Sequence, residues 1–153
     1  MLEIDEQAQT VGGVRLATFR HCYSQILIGD DPWLPLGNMM HQWFGRYQDF
    51  RTELVREVID VPESATAEQW RWAIWCAASV EYLCNRAGLA CPAWAVDERF
   101  KLAEPWYYDD VEGEEEKAEL REETPEEFAR RNIFCEANPY RNKYEYQGRR
   151  KTA

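Results

Sequence analysis

A chain of 153 residues suits one domain with a real core, and 45% apolar content with seven tryptophans supplies material for it. A formal net charge of −10 and a pI near 4.7 argue against binding nucleic acid or an anionic membrane and favour a basic partner, and no apolar run is long enough to span a bilayer. The acidic, polar start MLEIDEQAQT is no signal peptide. Five cysteines without a CxxC pair read as reduced, mostly buried thiols, so the expected location is the cytoplasm.

Residues 1–13, closing on Gly12-Gly13, read as a loose arm or a short first helix. Over Val14 to Ile28, Leu16, Phe19, Tyr23, Ile26 and Leu27 form an amphipathic helical stripe that Gly29-Asp30-Asp31-Pro32 stops. A second, longer helix is expected from Leu34 to Ile59. Its apolar positions Leu36, Met40, Trp43, Tyr47, Phe50, Leu54, Val58 and Val61 step by four and three, as in a coiled-coil seam. Its other face, with Gln42, Arg46, Gln48, Asp49, Arg51, Glu53, Arg56 and Glu57, reads as solvated. Pro62 ends it, and a short loop should fold it antiparallel to the next helix.

That next helix, Thr66 to Gly88, is the organising element. Thr66 and Gln69 form a capping box, Glu68 suits the positive end of the helix dipole, and Gly88 follows Arg86 as a left-handed stop. Trp70, Ala73, Ala77, Val80, Cys84 and Ala87 share one face, while Trp72, Trp75 and Tyr82 cover the others, so the helix belongs inside a core. Leu89 to Tyr108 has two prolines and no period. It reads as an extended segment wrapping the bundle, anchored by Trp94, Phe100, Leu102, Trp106 and Tyr107.

The last third is charge-segregated. Asp109 to Glu127 holds eleven acids against Lys117 and Arg121, a net −9, and Phe128 to Ala153 carries +5. Residues 109–123 read as an acidic loop or a fraying helix. Thr124-Pro125-Glu126-Glu127 then has the pattern of a helix start, with Thr124 as N-cap and a helix running to about Asn132. The tail from Pro139, with Tyr140, Tyr144 and Tyr146 among bases, reads as mobile.

No constellation carries chemistry. His21 and His41 lie in different segments without metal-ligand spacing, and the glycines make neither a dinucleotide fingerprint nor a phosphate loop. Adjacent His21 and Cys22 should diverge on a helix, which leaves a hydrolase built on Cys22 or Cys135 as the least favoured class. No metal and no cofactor is expected.

The block Thr124-Pro125-Glu126-Glu127-Phe128-Ala129-Arg130-Arg131-Asn132-Ile133-Phe134, continuing to Asn138, resembles the terminal TPxxFxxRNIFxxxN motif of a family of small bacterial proteins. Upstream, Pro92-Ala93-Trp94 and Leu102-Ala103-Glu104-Pro105-Trp106-Tyr107 resemble that family's P-x-W and PEPWF-like segments, so the resemblance spans roughly residues 70–140. Some members look like partners of nucleotidyltransferase toxins, which implies an antitoxin-like role. The chain departs from the pattern at Ala103, where proline is common, and in its heavier acidic insert.

Together these readings predict an all-α protein, a three- to four-helix bundle with an irregular aromatic-rich C-terminal wrap. Residues 1–138 form its single domain and residues 139–153 a basic tail. The expected function is that of a non-enzymatic subunit binding a basic protein partner, with a toxin as the candidate the resemblance supplies. The expected contacts are Glu114, Glu115, Glu116, Trp106, Arg130, Arg131 and Asn132, although the arginine motif could instead only close the core. The alternative is a regulator touching nucleic acid through the tail.

Overall fold

The computed structural model describes residues 9–11, 14–29, 31–109 and 111–140. They are mostly helical, in the order β1 (Gln9–Val11), β2 (Val14–Leu16), α1 (Phe19–Ile28), α2 (Trp33–His41), α3 (Arg51–Val55), α4 (Ala67–Ala87), β3 (Trp106–Tyr107), α5 (Glu114–Glu123), α6 (Glu126–Ala129) and β4 (Ile133–Phe134). No helix among the described residues is long and apolar enough to cross a membrane.

Helix α4 takes the ends the sequence assigns it. Thr66 Oγ1 accepts from the Gln69 N–H at 3.1 Å, Gln69 Oε1 accepts from the Thr66 N–H at 2.8 Å, and Gly88 adopts φ +70°. From Trp72 to Cys84 every residue is buried. The packing neighbours explain this: α1 lies against it on one side, and α6 and the 3-10 turn Ala93–Val96 on others. Trp75, fully buried, is the hub. Its ring meets Trp33, Trp72, Trp106, Tyr108, Phe128 and Tyr140 at centroid distances of 4.9 to 6.1 Å.

The N-terminal segment differs from its sequence reading. β1 and β2 pair antiparallel with Gln9 opposite Leu16 and Val11 opposite Val14, so residues 9–11 are strand and the helix begins only at Phe19. Thr18 sets that start by accepting from the His21 N–H at 3.2 Å. Residues 1–8 lie outside the described residues.

The expected long helix from Leu34 to Ile59 is also broken. α2 passes into a π-turn at Gln42–Arg46, closed by the Tyr47 N–H on the Gln42 carbonyl at 2.9 Å, then into a 3-10 turn at Gln48–Phe50 before α3. Side chains expected in solvent make the break. The Gln42 amide pairs with both backbone groups of Ala17, at 2.9 and 3.0 Å, and Arg51 Nε donates to the Trp43 carbonyl at 2.9 Å. The guanidinium of Arg51 also sits 5.0 Å from the Trp43 ring. Leu36, Met40, Trp43 and Leu54 remain inside. Once α3 ends at Val55 the helical register is lost, so Ile59 is buried in place of Val58. Helix α1 packs against α2, α3 and α4, and Trp33 of α2 meets Trp72 and Trp75 of α4.

These burials grade two tryptophans that the sequence treats alike. Trp43 is 1% exposed, so Trp43→Ala should lose about 3–5 kcal/mol of unfolding free energy in a denaturant melt. Trp70 is only half-buried, against Phe100 at 6.3 Å, and Trp70→Ala should lose less, about 1–3 kcal/mol.

Candidate functional site

The C-terminal motif is assembled from short pieces, each held by a polar side chain. Thr124 was expected to cap the following helix; it is the C-cap of α5 instead. Its N–H bonds the Leu120 carbonyl at 2.9 Å, and its hydroxyl accepts from the Cys135 N–H at 2.9 Å while the Leu120 and Cys135 carbonyls stand within donating reach. With that hydroxyl committed, α6 has Pro125 as its N-cap and no side-chain cap. The helix also stops short of its expected end, because Asn132 turns left-handed at φ +66°, a conformation asparagine tolerates. From there Asn132 donates its amide to the Leu102 carbonyl at 2.8 Å and its carbonyl accepts from the Trp106 N–H at 2.9 Å. This lays β4 parallel to β3, with Trp106 opposite Ile133 and Tyr107 opposite Phe134.

Arg131 is a core residue. Its side chain is 5% exposed, and it donates to Glu81 Oε1 at 2.8 Å, to the Glu127 carbonyl at 2.6 Å and to the Ala95 carbonyl. Arg130 bonds the other oxygen of Glu81 and lies 3.7 Å from Glu126. Burial pulls the Glu81 carboxyl upward, but the hydrogen bonds from Arg131 and Arg130 outweigh it and hold it below its ordinary value. Of the expected partner contacts, Arg131 and Asn132 are therefore spent inside the fold, and Arg130 is half-exposed but already paired. Trp106 is half-buried, packed on Trp72 and Trp75 with Arg71 over its ring. The reading of this motif as closure of the core is the one the geometry favours. Glu81 was missed, yet a lone carboxylate in an otherwise buried helix demands a cationic partner, and Arg130-Arg131 is the motif that supplies it.

The acidic run presents itself differently. Residues 114–123 form a helix, not a loop, and no residue of α5 is buried. Glu114, Glu115 and Glu116 fill its exposed first turn, where the dipole favours negative charge. The two bases of the run are drawn to one ring: Lys117 and Arg121 stand 5.2 and 5.8 Å from the centre of Tyr107, and Arg121 also donates to the Tyr107 hydroxyl. Beside the helix lies a cleft of about 200 Å³ lined by Asp109, Glu116, Glu119, Glu123 and Glu136 with Tyr108, Val111, Leu120 and Cys135. Among the described residues five carboxylates border it and no lysine or arginine does.

The chain beyond Asn138 is not all tail. Pro139 is buried, and the Tyr140 hydroxyl bonds Ser79 Oγ and accepts from Trp75 Nε1 at 3.2 Å. The remaining basic segment, 141–153, with Tyr144 and Tyr146, on which the nucleic-acid alternative mainly rests, lies outside the described residues.

The cysteines expected to be buried are so, except half-buried Cys91. Burial pushes the Cys84 thiol up to about 12 and raises Cys135 further, while a hydrogen bond to Cys22, then burial, raises Cys76. His41 is exposed, and burial lowers His21, whose Nδ1 has no hydrogen-bond partner among the described residues. Among the described residues no three histidine, cysteine or acidic side chains come together as metal ligands.

No family model matches the chain, and neither a curated protein nor a solved structure matches it.

Proposed function

We infer that the protein is a non-enzymatic binding subunit that takes a basic protein partner on its acidic α5 face, in the manner of an antitoxin or accessory subunit. The observation carrying this reading is the cleft bordered by the carboxylates of Asp109, Glu116, Glu119, Glu123 and Glu136, beside a helix whose first turn is three exposed glutamates. The scaffold is a helical bundle centred on α4, with residues 89–108 wrapped over it. Glu116 reaches both the exposed first turn and the cleft, whereas Glu114 and Glu115 extend the negative surface outward. A lysine or arginine of the partner enters the cleft, and the helix steers its approach.

Complementary charge acts mainly on encounter rate. Changing Glu114, Glu115 and Glu116 together to glutamine should slow association with a co-purified partner by about tenfold at low salt and leave the circular dichroism unchanged. The rate for the unaltered protein should fall steeply with added salt. Stopped-flow association at low and high salt decides it. A rate indifferent to both salt and the substitutions would sink this reading.

A further inference from the structure

A second cleft shares no residue with the acidic face. It lies between α1 and α2, has a volume of about 270 Å³, and is walled by Leu34, Pro35, Met39, Ala17 and Cys22. That size falls just below the range of about 300–1,000 Å³ typical of drug-sized ligands, so a guest must be small. Its polar lining is His21, Gln25, Asp31, Asn38 and Gln42. Gln42 is fully engaged by Ala17 and so is a wall, not a contact. Gln25 and Asn38 have side-chain amides with no partner among the described residues, and either can turn its oxygen inward. Asp31 spends Oδ1 on the Trp33 N–H at 3.0 Å, which leaves Oδ2.

We propose that this cleft binds a small molecule made of a primary ammonium on a compact apolar body. Three oxygen acceptors border one cavity, and an ammonium group carries three donors. Among the described residues the lining holds one carboxylate and no lysine or arginine, and burial disfavours the charged form of His21, so an anion finds no counter-charge there. The described residues of the lining include no phenylalanine, tyrosine or tryptophan either. A quaternary ammonium, which relies on an aromatic cage, is thereby disfavoured against one that can hydrogen-bond. The apolar body lies along Leu34, Pro35 and Met39.

Isothermal titration calorimetry with 2-phenylethylamine, 2-phenylethanol and 3-phenylpropionate tests the assignment, since the three differ mainly in the head group. The amine should bind saturably, the alcohol more weakly and the acid not at all. Asp31→Asn keeps an acceptor for the Trp33 N–H, so α2 should still start correctly, yet it should weaken the amine by about tenfold through loss of the charge. Asn38→Leu, on an exposed helix face, should weaken it by a smaller factor. Binding of the acid as well as the amine, an affinity indifferent to both substitutions, or no saturable binding of any probe would overturn the proposal.

Discussion

Replacing Arg131 by alanine is expected to lose about 3–5 kcal/mol of unfolding free energy, because it takes the buried partner from Glu81, leaving that carboxylate only the half-exposed Arg130, and strands two backbone carbonyls at once. A urea melt followed by circular dichroism measures it. The half-exposed Arg130 leaves Arg131 on Glu81 when removed, so Arg130→Ala should cost much less. Glu81→Leu with Arg131→Met should recover part of the single-mutant loss, since it removes the under-paired carboxylate while the Glu127 and Ala95 carbonyls stay without their donor. The same network sets a pH dependence. Glu81 is held below its ordinary value, near 4.5, so its stabilisation is present above that pH and is lost as pH falls through the lower folded value. Stability should thus fall below about pH 4.5 in the unaltered protein, and Glu81→Gln should flatten that limb. An acid limb identical in both proteins would remove Glu81 as its source.

Trp75→Ala should cost as much, about 3–5 kcal/mol, since the ring is fully buried and touches six other aromatic rings. Trp75→Phe keeps most of the apolar contact but drops the indole N–H bond to Tyr140, and should cost clearly less. Tyr140→Phe leaves the Ser79 hydroxyl and the Trp75 indole without this partner and should lose about 1–3 kcal/mol. That last measurement also tests whether the chain past Asn138 belongs to the fold. A melt unchanged by Tyr140→Phe would return it to the tail.

Local signals account for what the sequence by itself determined. Helix α4 was legible from end to end, because its capping box and left-handed glycine need only neighbouring residues and its apolar run needs only a core to face. The mostly helical character and the buried state of Trp43, Leu36 and Leu54 followed from periodicity in the same way. The charge run was visible as charge, but loop and fraying helix both stayed open for it, since exposed acids carry little pattern to distinguish the two.

The rest was decided by tertiary contacts, in each case through a bond that lies outside the periodic pattern of one element. Gln42 and Arg51 look like solvent-facing residues of one long helix until Ala17 and the Trp43 carbonyl claim them and the helix breaks. Thr124 has the sequence of an N-cap, but Cys135, just past β4, takes its hydroxyl first. Arg131 and Asn132 look like presented side chains, and Glu81, Ala95 and Leu102 draw them inward. A polar side chain's destination depends on which unpaired backbone group or buried charge the folded chain brings beside it, and no local pattern states that in advance.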